Sequence, residues 1–163
     1  MATKPVNHIV VHVNGLSIQD TQLQHDGQEI LLRETFEYPE HQYWVVVPEL
    51  QGNAGNYSLT MIFSGSLTDG ITGFYKSVYK NEKGENIPIA TSKFQPTDAR
   101  KAFPCFDEPS FKSTFTVTLI RPTEGYLALS NMPVEQETEN LPSKGSFFYL
   151  FSIHSSMIIF RID

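Results

Sequence analysis

Short runs of β-branched and aromatic residues alternate with turn residues along the whole chain, and few windows carry apolar positions at helical spacing. Residues 8–13 (HIVVHV) are predicted as a strand that ends at Asn14-Gly15, a pair suited to a tight turn. Residues 16–19 (LSIQ) are a short strand. Residues 30–38 (ILLRETFEY) alternate and stop at Pro39. Residues 43–47 (YWVVV) are continuously apolar, which predicts burial on both faces, up to a stop at Pro48. Residues 51–56 (QGNAGN) read as a loop, 57–63 (YSLTMIF) and 74–79 (FYKSVY) as strands, and Asn81 to Gly84 as a turn. Residues 113–121 (STFTVTLIR) place Phe115, Val117 and Leu119 on one face, and 126–130 (YLALS) are expected to pair with them across residues 122–125. One segment breaks the rhythm: residues 97–103 (TDARKAF) have a capping Thr97, two alanines and two basic residues, which predicts a helical turn closed by Pro104. The expected fold class is all-β, a saddle-like or sandwich-like set of antiparallel or mixed sheets with one short helical turn near 97–103.

Composition narrows the function classes. A chain of 163 residues is one domain in size, and 12 Phe, 7 Tyr and 1 Trp are too many for a chain that cannot collapse. The balance of 12 basic and 18 acidic residues, net −6, provides no basic stripe to neutralise phosphates, which argues against a nucleic-acid partner. A single cysteine makes neither an internal disulfide nor a thiolate zinc cage. Residues 1–8 (MATKPVNH) lack the apolar core of a secretory signal, and no apolar stretch reaches the ~20 residues of a membrane-spanning helix. The nearest approach, residues 145–160, is interrupted by serines and His154.

Candidate chemistry is sparse. His8 and His12 stand four apart, as in helical zinc sites, but Ile9 occupies the position where the H-E-x-x-H motif needs a general base, and the Ile-Val-Val run favours a strand with a polar edge. Cys105 lies between Phe103, Pro104 and Phe106, an apolar setting that raises a thiol's pKa and suits a buried structural thiol rather than a nucleophile. Asp107-Glu108, followed by Pro109, could serve acid–base chemistry; alternatively one of the two accepts hydrogen bonds from turn amides or pairs with Arg100 or Lys101. Asn56-Tyr57-Ser58 is a glycosylation sequon, which matters only in a secreted chain.

Longer motifs add to this reading. The run Phe94-Gln95-Pro96-Thr97-Asp98-Ala99-Arg100, then Ala102-Phe103-Pro104-Cys105-Phe106-Asp107-Glu108-Pro109 and later Ala128-Leu129-Ser130-Asn131-Met132-Pro133, resembles the N-terminal domain of zinc aminopeptidases of the aminopeptidase N type, the glutamyl, endoplasmic-reticulum and oxytocinase-like group. Gly73-Phe74-Tyr75-Lys76-Ser77 is similar to that family's G-F-Y-R-S strand. Residues 9–16 are similar to its I-x-L-H-x-x-x-L strand, with His12 as the family histidine.

The resemblance implies a saddle-like β domain packed on a separate catalytic domain. That domain carries G-x-M-E-N and H-E-x-x-H, neither of which occurs here, so no catalytic residue and no metal ligand is expected in this chain, and zinc belongs to the full-length family. By the same resemblance, Gln95 contacts the α-amino group of a peptide N-terminus, for which an amide oxygen is a fitting acceptor; a turn amide is the plainer alternative. Lys93 departs from the family's glutamine, and a cation there repels an ammonium group. Arg100, Pro104, Cys105, Asp107, Glu108 and Pro109 form a structural motif that holds the Gln95 loop. The implied organisation is a partial aminopeptidase N-terminal domain over 1–140, its first strands missing, and a divergent hydrophobic tail over 141–163. Family members are commonly membrane-anchored or secreted. A noncatalytic domain is therefore expected. The alternatives are a module that binds peptides or self-associates through exposed strand edges, and a truncated product without function.

Overall fold

The computed structural model describes residues 2, 4–67, 69–122, 126–138, 146–153 and 158–162, the last two stretches as backbone. The described residues form an all-β protein in which every paired strand is antiparallel. The chain divides into two compact units: Met1–Ser66 with Ala99–Glu108, and Leu67–Asp98 with Pro109–Asp163.

The first unit holds six strands: β1 (Ile9–His12), β2 (Ser17–His25), β3 (Gln28–Ile30), β4 (Leu32–Tyr38), β5 (Tyr43–Pro48) and β6 (Tyr57–Ser64). They make two three-stranded sheets, β1-β5-β4 and β3-β2-β6. Alternation along β1 and β5 buries Val11 and Val46, with Val13 just beyond β1 and Leu23 in β2 completing the densest part of the core. β5 is closed on one face only: Val46 and Pro48 are buried, whereas Tyr43, Trp44, Val45 and Val47 stay partly exposed, so the expectation of burial on both faces is corrected. The segment expected as one strand over 30–38 is two strands, because Leu31 turns out to solvent and lends its carbonyl to the Glu49 N–H (2.9 Å). β2 extends well past 16–19. Its polar stretch Asp20 to Gln24 carries almost no apolar signal, yet pairs along its length with β6.

The second unit holds β7 (Gly73–Lys80), β8 (Asn86–Lys93), β9 (Phe115–Pro122), β10 (Tyr126–Ser130), β11 (Gln136–Thr138), β12 (Ser146–Ile153) and β13 (Ile158–Ile162). The sheets are β10-β13-β8-β7 and β11-β12-β9. β7 and β8 form a hairpin in continuous register from Gly73↔Lys93 to Lys80↔Asn86. Its turn is set by Asn81, whose side-chain oxygen accepts the Lys83 and Glu85 N–H groups (3.0 and 2.9 Å), and by Gly84 at φ 80°. The pairing expected between residues 113–121 and 126–130 does not form: β9 pairs with β12 and β10 with β13, in different sheets. The connection expected at residues 123–125 lies outside the described residues, as does His154. The tail thus supplies strands to both sheets of this unit.

The helical turn is present as a 3-10 turn, Ala99–Lys101, preceded by a turn in which the Asp98 N–H donates to the Phe94 carbonyl (2.8 Å). A second 3-10 turn, Pro39–His41, opens at the proline expected only to stop a strand and ends at Gln42 in the left-handed region, φ 58°. Among the described residues no helix is long and apolar enough to cross a membrane.

Candidate functional site

Residues 99–108 return to the first unit and are fastened there by backbone and side chain together. The Asn14 N–H donates to the Arg100 carbonyl (2.9 Å), and His12 and Cys105 exchange both backbone hydrogen bonds (2.8 and 3.2 Å), a one-residue extension of β1. Asp107 is then brought against Arg100. Arg100 Nε–H and its backbone N–H both donate to Asp107 Oδ2 (2.9 and 3.3 Å), while Nη2 reaches the Asp107 carbonyl and Nη1 the Gln42 Oε1 (each 3.2 Å). Both side chains of the pair are nearly buried, at 11% and 12% exposed. A desolvated pair is tolerated when the remaining donors and acceptors are satisfied, and Gln42 and the loop backbone do that here.

His12 sits at the centre of this arrangement. Its ring is buried, edge-on to Tyr43 at 5.0 Å, and its Nδ1 accepts the Asp107 N–H (3.2 Å). A lone pair engaged at Nδ1 fixes the neutral ring with its proton on Nε2, which faces Glu108 Oε1 at 3.9 Å. Burial, then the Arg100 guanidinium, hold the His12 pKa below its ordinary value. The Cys105 thiol is pushed up to about 12, by burial first and by the Asp107 carboxylate second. Adjacent in sequence, Asp107 and Glu108 occupy opposite environments: one nearly buried on Arg100, the other half exposed. His12 was expected at a polar strand edge, so its place under the loop is a finding; an isolated histidine in the otherwise apolar run 9–13 was the available signal.

The structure therefore brings together Arg100, Cys105, Asp107 and Glu108, adds His12 and Gln42, and keeps Pro104 at the half-buried rim. Gln95 and Pro109 belong to the second unit. Gln95 is exposed at the turn that follows β8, directly after buried Ser92 and Phe94 and exposed Lys93. Asn56 is exposed immediately before β6, with its backbone tied to Asp26 in both directions (3.1 and 2.8 Å). An open groove of about 670 Å³ on the β1-β5-β4 sheet is lined by Val10, Phe36, Tyr38 and Val45 among others and, of the candidate site residues, includes only His8. Among the described residues no group of three or more His, Cys, Asp or Glu side chains is placed to hold a metal ion. The loop cluster therefore supplies too few placed ligands for a tetrahedral zinc, and no step is routed through one.

Comparison with known proteins agrees with these motifs. Residues 1–157 match the family described as the peptidase M1 N-terminal domain. Glutamyl aminopeptidase of Sus scrofa is 46% identical over 143 residues, covering 83% of this chain and 15% of that protein. Glutamyl aminopeptidase of Homo sapiens is 44% identical over 115 residues, 68% of this chain and 12% of the relative. Endoplasmic reticulum aminopeptidase 1 of Mus musculus is 36% identical over 138 residues, 82% of this chain and 15% of the relative. The chain spans about 15% of the length of such relatives. With the match extending over nearly all of its residues, the chain belongs to the peptidase M1 N-terminal domain family.

Proposed function

We propose that this chain is the noncatalytic N-terminal domain of a zinc metalloaminopeptidase that removes N-terminal residues from peptides, and that Gln95 is its contact to the substrate's α-amino group. The observation that carries the reading is the family match over residues 1–157, whose named relatives are aminopeptidases. The setting of Gln95 supports it: an exposed amide on a turn whose preceding residues, Ser92 and Phe94, are buried. Its carbonyl oxygen accepts from an ammonium group without bringing a second charge. The sequence carries neither H-E-x-x-H nor G-x-M-E-N, so in such an enzyme the zinc and its ligands lie outside these residues.

The purified chain is expected to release no N-terminal residue from aminoacyl substrates and to bind peptides with a free amine in preference to their N-acetylated forms, a preference lost in Gln95→Ala. Chelator-sensitive release by the chain alone refutes the noncatalytic reading. Equal binding of free and acetylated peptides refutes the role of Gln95.

A second reading, self-association through a strand edge, is favoured by β6. It is an edge strand of eight residues without a charged side chain, and Ile62 and Phe63 on it are exposed.

A further inference from the structure

We infer that His12 is an acid-release latch: the neutral ring holds residues 105–108 against β1, and a proton arriving at Nδ1 lets that loop go. The hydrogen bond to the Asp107 amide is met only while Nδ1 carries no proton. Nδ1 accepts the Asp107 N–H, and the Nε2 proton faces Glu108. Once Nδ1 carries a proton it becomes a donor opposed to another donor at 3.2 Å, and the Asp107 amide must move away. That amide belongs to the residue whose carboxylate and carbonyl hold Arg100, and Cys105, two residues earlier, is hydrogen-bonded to the His12 backbone. Loss of one bond therefore loosens a short stretch pinned at both ends, a local opening rather than global unfolding.

The charged and titratable groups facing the ring come from three directions. From the 99–108 segment, Arg100 opposes the imidazolium, Asp107, the Cys105 backbone and Glu108 favour it, and the Cys105 thiol is neutral. From β5 comes the Tyr43 ring, and behind it His41, stacked on Tyr43 at 5.7 Å. Glu108, half exposed and 3.9 Å from Nε2, is the carboxylate of this segment not already committed to Arg100, and it favours the charged ring. The sign follows from the lowered pKa. The unfolded chain takes up the proton more readily than the folded one, so the closed loop is fully stable above the ordinary histidine pKa of 6.5. It loses stability as pH falls from there to the lower folded value.

The test is NMR on the full chain between pH 8 and 4.5. At neutral pH the His12 ring nitrogens are expected to report the Nε2–H tautomer. The Asp107 amide shift is expected to titrate at the His12 midpoint, below 6.5, and amide protection at Cys105 and Asp107 to drop roughly tenfold as the ring charges. His12→Asn, whose side-chain oxygen reaches the same amide without titrating, removes the pH dependence of that protection. Glu108→Gln, on an exposed side chain, lowers the His12 midpoint and serves independently should the first variant not fold. An Nδ1–H tautomer at neutral pH, protection at 105 and 107 that is indifferent to His12 ionisation, or a His12 midpoint unmoved by Glu108→Gln each overturns the latch.

Discussion

Arg100 shows how much one residue can organise when each of its guanidinium nitrogens finds an acceptor. Four hydrogen bonds from its backbone and guanidinium groups end on Asp107 and Gln42 at the edge of the buried interior. Arg100→Met leaves the Asp107 carboxylate desolvated and alone, and is expected to destabilise the chain by about 3 kcal/mol in denaturant unfolding. Arg100→Met with Asp107→Leu is expected to recover a good part of that loss, because no uncompensated charge remains. For Cys105 the sign runs opposite to that for His12. A thiol held up at about 12 disfavours the thiolate, so its contribution is present below the ordinary thiol range and is lost as pH climbs past 9 toward that value. At pH 8 the native chain should react with iodoacetamide roughly a thousandfold more slowly than its unfolded form, read by mass spectrometry. Pairing of Arg100 with one of the two adjacent carboxylates was among the alternatives open from sequence, since buried charges need partners; which carboxylate, and the part played by His12, were not. Those depend on a segment some 95 residues away, and no local pattern encodes that.

Strands announced themselves where apolar and polar residues alternate and where a turn residue stops them. Tyr126–Ser130 matches its predicted bounds, and the turn expected at Asn81–Gly84 is present, joining β7 to β8. Strands were illegible where the partner rather than the sequence decides. β8 contains Pro88 and a run of small and hydroxyl residues, and is a strand because β7 and β13 flank it; the Asp-Thr-Gln-Leu-Gln stretch of β2 buries only Leu23. That concentration of burial makes Leu23→Ala costly, about 2–5 kcal/mol. Gly84→Ala meets open space but inherits a left-handed backbone, so about 1 kcal/mol is expected from conformation alone. On the edge strand, Ile62→Lys is expected to suppress concentration-dependent association in sedimentation velocity while leaving the circular dichroism spectrum unchanged. Association unaffected by the lysine would remove β6 as the sticking edge.

At the scale of the molecule, charge and the latch act in the same direction. A net charge of −6 keeps copies apart at neutral pH, and this repulsion vanishes near the isoelectric point of about 5.3, while the same fall in pH drives the His12 ring toward its charged form. Light scattering should therefore rise steeply between pH 6.5 and 5.3, and less steeply in His12→Asn. The path of the chain adds a temporal consequence. The first unit is complete only when residues 99–108 come back to it, so during synthesis β1 must wait for Cys105 and Asp107 to leave the ribosome. At ordinary elongation rates a gap of 95 residues lasts roughly 5 to 20 s. For that time the amides of His12 and Asn14 have no native acceptor, and a nascent chain arrested before residue 99 presents an open strand end to whatever chaperone is at hand.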